Sequence, residues 1–420
     1  MAARNLAWAT LLGVVGLAAQ GGARFLHTTW VGNTAPDRLG TLSALLSISV
    51  FLTLLGPAAA GIAAGRFAPA GAPRGPELLQ ALSTAMLWTG GGLTPVTAVV
   101  AATVTGPVGI VTCCALVLSY GAYLYCRGAL IGSGRVMRAA VLDIATAVLT
   151  VLAVWLVVSH QWWDALLLPP TVGYLAFALL ARPRPVRAGA TEEERRTLRS
   201  FLVTNSVAQM ATGALVPATM LCVEWFDRPG SSAFAAALAL ATPPNMIAQA
   251  LLLVLVPHFA TAPRTAAGGV ARRHVLTLLG VSALLWVLLF GTMVLIAPQL
   301  LDLVYPGKFP EAADTLRALL VIMGVSSVAV LPTALLLGTG RERQQASAAL
   351  AGMAVGLAAL LVLAPRWGAD GATAGFAAGI AVTAGLAFLL GLRSGPAAPT
   401  PGRADPVGPT DPSVEVTTEG

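Results

Sequence analysis

The sequence predicts an all-α polytopic membrane protein, with about twelve transmembrane helices in two six-helix lobes related by a parallel internal repeat. Three observations predict this class: the composition, the spacing of apolar runs and a motif that occurs twice. Of the 420 residues, 56% are hydrophobic and 10% are charged, whereas a soluble domain carries about 25% charged residues. This composition excludes an ordinary soluble enzyme.

Apolar runs recur along the whole chain, and each is close to the roughly 20 residues that a helix needs to cross a bilayer. We predict spans at residues 6–26, 40–64, 78–101, 107–131, 137–158, 163–181, 199–223, 232–259, 275–298, 314–337, 345–364 and 371–391. The first apolar run is interpreted as an uncleaved span rather than a signal peptide, because the loop count requires it.

The positive charges predict the orientation. With the N-terminus inside, 19 of the 25 Lys and Arg residues fall on the inner side, as the positive-inside rule requires. We therefore predict a multi-pass membrane protein with both termini in the cytoplasm. The predicted parts are an N-terminal lobe (1–181), a cytoplasmic linker (182–198), a C-terminal lobe (199–392) and a proline-rich disordered tail (393–420).

Two similar motifs mark the internal repeat. Residues 129–135 read "ALIGSGR" and residues 334–341 read "ALLLGTGR", each after the fourth span of its half. A second pair, "TVGYLAF" (171–177) and "TAGFAAG" (373–379), lies in the sixth spans. Because no strand precedes these glycines and no P-loop lysine follows them, we interpret them as helix-connecting turns and not as a phosphate cradle. No cofactor, metal site or nucleic-acid partner is predicted.

Two longer stretches carry a family resemblance. They are "AFAAALALATPPNMIAQALLLVLVPHFA" (233–260) and "LDLVYPGKFPEAADTLRALLVIMG" (301–324). With the twelve spans and the "GR" turns, they resemble the polysaccharide flippases of the multidrug/oligosaccharidyl-lipid/polysaccharide exporter superfamily. The resemblance implies a transporter, not an enzyme, that flips a polyprenyl-diphosphate-linked oligosaccharide across the membrane by alternating access. It also implies membrane lipids, a coupling ion (H⁺ or Na⁺) and polysaccharide assembly enzymes as partners.

Charged residues inside spans are costly and are therefore candidates for substrate binding. Arg127 and Asp143 lie at similar depths on consecutive spans, so they could pair, and Arg127 could bind a diphosphate through bidentate contacts. A purely structural pair, or an arginine that reaches the membrane surface, is the alternative. Arg24, near the outer end of the first span, is a weaker candidate, and a plain interfacial arginine is the alternative.

Uncharged polar residues form a second set of candidates. They could contact sugar hydroxyls, or they could simply join helices to one another. This set contains Gln20 and two i,i+4 pairs, Asn205 with Gln209 and Asn245 with Gln249.

Four residues are predicted hinges, because glycine and proline weaken helices. Gly91 and Pro95 are expected to break the third span, and Pro243 and Pro244 the eighth. Broken helices in transporters often line a cavity.

Two other functions stay open. A cation-coupled multidrug-type exporter would need an acidic pair inside a lobe, and Asp143 is the only carboxylate well inside a span. An integral-membrane glycosyltransferase or ligase of envelope assembly would need acidic or histidine clusters on large outer loops, which the sequence lacks.

Overall fold

The computed structural model describes residues 2–67, 69, 74–183, 189–261 and 269–392. All regular secondary structure in these ranges is helical. The α-helices are α1 (Ala2–Thr34), α2 (Leu39–Leu54), α3 (Pro57–Phe67), α4 (Gly75–Ala102), α5 (Pro107–Gly132), α6 (Val136–Ser159), α7 (Leu168–Ala181), α8 (Glu192–Gly213), α9 (Leu215–Phe226), α10 (Ser231–Thr261), α11 (Gly269–Leu295), α12 (Ala297–Val304), α13 (Ala312–Val328), α14 (Val330–Gly338) and α15 (Glu342–Leu392).

These helices account for the twelve predicted spans. Three spans are each built from two consecutive helices (α2 with α3, α8 with α9, and α13 with α14), and α15 supplies the last two spans. By length and composition, eight helices in the described ranges could cross a membrane, or nine if the bent pair α8 and α9 counts as one span. Helices α1–α7 pack mainly on one another, as do α9–α15, so the predicted two-lobed all-α class is confirmed.

The predicted helix breaks are wrong, because helices α4 and α10 both continue through their prolines. Helix α4 contains Pro95, and α10 passes Pro243 and Pro244 without interruption. A proline removes one backbone hydrogen bond, and neighbouring helices in a bundle can compensate for that loss.

The spans break at other positions, each just before a proline in the first turn of the next helix. Pro57 begins α3, Pro217 lies in the first turn of α9 and Pro332 in that of α14. A proline costs little in a first turn, because its missing N–H has no partner within the helix there. The break at Ala214 bends the chain by 60° between α8 and α9.

The two glycine motifs adopt the same turn in both halves. Gly134 has φ +75° and Gly340 has φ +77°, a left-handed conformation that glycine adopts without steric cost. The next residue donates its N–H to a carbonyl five residues back: Arg135 to Leu130 at 2.9 Å, and Arg341 to Leu336 at 2.8 Å. These are Schellman-type helix ends, which confirms the interpretation of the motifs as turns.

The predicted linker contains the start of a helix. Helix α8 begins at Glu192, seven residues before the predicted span, because Thr191 and Glu194 form a capping box. Arg74 at the start of α4 also pairs with Glu194, with 3.0 Å between Arg74 Nη1 and Glu194 Oε1. Residues 184–188 of the linker and the predicted tail, 393–420, lie outside the described residues.

Close backbone contact fixes α5 against α3. A Cβ atom added to Gly128 would overlap the carbonyl oxygen of Gly61, and one added to Gly61 would lie 2.6 Å from the carbonyl oxygen of Leu124. Helices approach this closely only where both carry small residues. The contact therefore sets the position of α5, the helix that carries Arg127.

Candidate functional site

A buried charge cluster lies inside the N-terminal lobe. Asp143 on α6 is fully buried. Its Oδ2 accepts a hydrogen bond from Arg127 Nε at 2.9 Å, and its Oδ1 accepts one from the Tyr123 hydroxyl at 2.9 Å. Arg127 Nη2 also donates to the carbonyl oxygen of Gly13 at 3.1 Å. The predicted pairing of Arg127 with Asp143 is therefore present.

Gln20 ties α1 to the same cluster. Its Nε2 donates to the backbone carbonyl of Asp143 at 2.8 Å and to Thr146 Oγ1 at 2.9 Å. The carboxylate of Asp143 thus pairs with the Arg127 guanidinium and accepts a hydrogen bond from the Tyr123 hydroxyl, while the Asp143 backbone carbonyl accepts one from the Gln20 amide. The buried carboxylate of Asp143 therefore has both the ion partner and the hydrogen bonds that a buried charge requires.

A cavity of about 360 Å³ lies between the two lobes. Helices α1, α2, α5 and α7 line it on one side, and Gly213 at the end of α8, α9 and α10 line it on the other. Most of the wall is apolar, and its polar side chains are Gln20, Arg24, Thr28, Ser43, Ser47, Tyr120, Tyr123, Arg127, Tyr174 and Thr242. None of the described residues that line this cavity is acidic.

Arg24 is the exposed cation of this cavity. It projects from α1, and it has no ion-pair partner among the described residues. Arg127 lines the same cavity, but Asp143 balances its charge, and its side chain is only 18% exposed. The cavity therefore carries a net positive charge that comes from Arg24.

Three tyrosines line the wall together with Phe25, and sequence reasoning missed them. The ring of Tyr174 lies 4.8 Å from that of Tyr120 and 4.9 Å from that of Tyr123, measured between centroids. The spacing in "YGAYLYCR" (120–127) places Tyr120, Tyr123 and Arg127 on one face of α5. That spacing was the available signal.

A smaller pocket of about 20 Å³ opens beside the cavity and shares Gln20, Arg24, Tyr120 and Tyr174 with it. Its wall includes His27, which is 2% exposed and whose Nε2 has no hydrogen-bond partner among the described residues. A volume of this size holds about one water molecule. Like the three tyrosines, His27 was not selected from the sequence.

The other predicted polar residues do not join this site. Asn245 Oδ1 accepts a hydrogen bond from Ser327 Oγ at 3.4 Å, which joins α10 to α13. Asn205 and Gln209 are partly buried on α8 and do not line the cavity. The side chain of Gln249 lies outside the described residues.

Of the four predicted hinge residues, one lines the cavity and three do not. Pro243 lines the cavity, whereas Pro244 is buried and does not. Gly91 and Pro95 are exposed on α4, far along the chain from any lining residue.

Comparison with known proteins relates the fold to solved structures. No family model and no curated protein matches the chain. The inward-facing conformation of a multidrug resistance MATE family transporter of the MOP superfamily matches with a TM-score of 0.71 and 13% identity, covering 90% of this chain and 97% of that one. The outward-facing conformation of such a transporter gives a TM-score of 0.58 with 15% identity, covering 92% and 94%.

The chain has the fold of the MATE transporters. A further MOP superfamily transporter, from Pyrococcus furiosus, matches with a TM-score of 0.63 and 12% identity, covering 92% of this chain and 94% of that one; its structure is described as having a binding pocket of reverse polarity that suggests a different function. At 12–15% identity these comparisons show the fold alone, and the polysaccharide-flippase branch that the sequence resembles is not among these neighbours. The lobes of this chain match the inward-facing arrangement more closely than the outward-facing one.

Proposed function

We propose that this protein is a membrane transporter that exports small amphipathic molecules by alternating access of its two lobes. The cavity between the lobes supports this proposal. Its volume of about 360 Å³ lies at the lower end of the roughly 300–1,000 Å³ that small-molecule sites occupy. A wall that is mainly apolar, with a few hydroxyls and one free cation, suits a compact molecule with one polar end.

The charge of the cavity favours a substrate whose polar end is anionic. Arg24 is unpaired, and no described lining residue is acidic. The nearest carboxylate, Asp143, is committed to Arg127 and Tyr123. A cationic substrate would meet Arg24 without a counter-charge, and like charges at close range are unfavourable in a medium of low dielectric constant.

Flipping of a polyprenyl-diphosphate-linked oligosaccharide is the second candidate. The observation in its favour is that Arg24 and Arg127 line one cavity, where two guanidinium groups could contact one diphosphate. The size of the cavity favours the first candidate, since an oligosaccharide with its diphosphate needs more room. A coupling ion, H⁺ or Na⁺, remains a prediction for both candidates.

The direction of transport follows from the predicted topology. The arginine-rich loops predict that the glycine turns and both termini lie in the cytoplasm, and the family resemblance implies a bacterial-type cytoplasmic membrane. The closer match to the inward-facing MATE structure is consistent with a cavity that loads from that side. We therefore expect substrate to leave the cell.

The experiment is efflux from proteoliposomes or from cells that lack their own major exporters. Matched fluorescent amphiphiles that differ only in an anionic, neutral or cationic head group are compared. We expect the anionic probe to be transported fastest. We expect Arg24→Gln to reduce its apparent affinity about 10- to 150-fold, because a hydrogen bond to a charged group contributes about 1.5–3 kcal/mol.

Arg24→Lys is the matched control and should keep most of the activity toward the anionic probe. Equal transport of all three probes, or an Arg24→Gln variant that transports normally, would contradict the proposed anionic substrate. Movement of a polyprenyl-diphosphate saccharide between leaflets, with no efflux of any small probe, would establish the second candidate instead.

A further inference from the structure

A long groove runs along the outside of the lobe junction, separate from the central cavity. It lies between α4 and α8, the helix that connects the two halves of the chain. One part has a volume of about 580 Å³ and the other about 380 Å³. Ala85, Thr89, Leu202 and Val203 line both parts, so the two form one continuous groove.

The two ends of the groove differ in chemistry. Glu77, Gln80, Arg195 and Arg199 lie at one end, where α4 and α8 begin. The other end is lined mainly by apolar side chains, which are Leu55, Leu202, Val203, Val207, Met210 and Met353. From Arg195 to Met210 the helix rises about 22 Å, which exceeds the roughly 15 Å of hydrocarbon in one leaflet.

The groove is open to the side of the protein that faces lipid. Trp88 is 78% exposed and Val203 is 66% exposed, although both are apolar and line the groove. Exposed apolar side chains on a membrane helix contact acyl chains. The groove therefore has the shape and polarity of a site for one amphipathic lipid.

The polar end carries both signs of charge. Arg199 is exposed and makes only a loose ion pair with the equally exposed Glu192, at 3.9 Å. Arg195 Nε donates a hydrogen bond to the carbonyl oxygen of Ala190 at 3.2 Å, which leaves its two terminal nitrogens available to a ligand. These two guanidinium groups suit a phosphate.

Glu77 supplies the opposite charge. Its Oε2 is buried and has no hydrogen-bond partner among the described residues. Its position in the first turn of α4 makes a negative charge tolerable there, but an oxygen without a donor is costly. A donor from a ligand would satisfy it, and a primary ammonium group is such a donor.

We propose that this groove binds a zwitterionic phospholipid with a primary amine, of the phosphatidylethanolamine type. The phosphate lies against Arg195 and Arg199, the ammonium group donates to Glu77, and one acyl chain follows α8 toward Met210. A choline head group has no N–H to donate to Glu77, and a glycerol head group carries no positive charge. Both should therefore bind more weakly.

The position of the site gives the lipid an influence on conformation. Leu55 and the α4 residues fall in the predicted N-terminal lobe, whereas Val203, Val207, Met210 and Met353 fall in the predicted C-terminal lobe. Helix α8 packs on α2 and α3 as well as on α15, so it lies at the junction of the two. A ligand that contacts both lobes stabilises the arrangement in which its site is formed. Bound lipid should therefore favour the arrangement seen here over one in which α4 and α8 have separated.

The test measures lipid binding and does not depend on transport. The purified full-length protein is titrated in detergent with ethanolamine, choline and glycerol phospholipids that carry identical acyl chains, and bound lipid is counted by native mass spectrometry. We expect the ethanolamine lipid to bind at least 10-fold more tightly than the other two. Equal binding of all three, or tightest binding of the anionic glycerol lipid, would overturn the proposal.

Three variants locate the site. Glu77→Gln should abolish the preference for ethanolamine over choline, whereas Glu193→Gln, an exposed glutamate outside the groove, should keep it. Val203→Trp should block the path of the acyl chain along α8 and weaken the binding of all three lipids equally. A normal preference in Glu77→Gln protein that elutes as a folded monodisperse species would overturn the assignment, whatever the variants do to transport.

Discussion

Asp143 shows how a single charged residue is held inside a membrane lobe. It is fully buried, yet it has an arginine partner at 2.9 Å, a tyrosine donor and a glutamine on its backbone carbonyl. The pairing was predictable, because Arg127 and Asp143 lie eight residues on either side of Arg135 and thus at equal depth. Gln20 could not be assigned as a partner, since nothing in the spacing fixes how α1 faces α6, whereas Tyr123 lies one turn before Arg127 on the same face of α5.

Removal of one charge from this pair should be far more harmful than removal of both. We expect Asp143→Ala to lower the free energy of unfolding by about 3–5 kcal/mol, because it leaves Arg127 without its counter-charge. The double variant Arg127→Met with Asp143→Leu should recover much of that loss. Thermal unfolding in detergent measures both.

Asp314→Ala is the matched control, since it removes an exposed ion pair with Arg317 that contributes little. A single Asp143 variant as stable as the double variant would show that the pair is not a coupled unit.

At the scale of helices, close packing and turns explain more of the architecture than helix breaks do. Proline and glycine in mid-span were expected to interrupt α4 and α10, and both helices continue. The observed breaks fall where proline lies in the first turn of a following helix. Sequence position alone did not separate these two situations, because either proline can sit in an equally apolar run.

The crossing of α3 and α5 gives a sharp test of this packing. Gly128→Ala should strongly destabilise the N-terminal lobe, since the added methyl group would overlap the backbone of Gly61, which cannot move aside as a flexible side chain could. Gly91→Ala on α4 is the control: an added Cβ there meets nothing within 4 Å, so we expect equal or slightly greater stability from the better helix propensity of alanine.

Thermal unfolding and the yield of folded protein compare the two glycine variants. Equal stability of the two would contradict the close-packing account of α3 and α5. If Gly91→Ala were stable but transported several-fold more slowly, the predicted hinge role of Gly91 would be supported despite the continuous helix.

At the scale of the whole molecule, the hydropathy and charge patterns were sufficient to predict the fold class. The twelve apolar runs, the arginine alternation and the paired glycine turns predicted two six-helix lobes, and the structure contains them. The site was harder to predict from the sequence, because the cavity between the lobes is lined by residues from helices that are distant in sequence. Arg24 and Arg127 were selected as costly charges. Tyr120 and Tyr123 carried only the weaker signal of their spacing to Arg127, and Tyr174 and His27 carried none.

The topology itself can be tested with single cysteines in a protein without its four native ones. Gln344→Cys, after the second glycine turn, and Asp164→Cys, before α7, are both exposed and lie on opposite predicted faces. We expect a membrane-impermeant maleimide added to intact cells to label only Asp164→Cys. Labelling of Gln344→Cys alone would reverse the predicted orientation, and labelling of both would refute the twelve-span count.

The contact between Arg74 and Glu194 has a mechanical consequence for any motion of the lobes. Arg74 also donates to the carbonyl oxygen of Gly189 at 3.3 Å, so the start of α4 is attached to the segment that leads into the second lobe. A rotation that preserves this contact must turn about it as a pivot. Displacements of the lobes are then smallest beside Arg74 and grow with distance from it, so the helix ends at the opposite membrane face move the most.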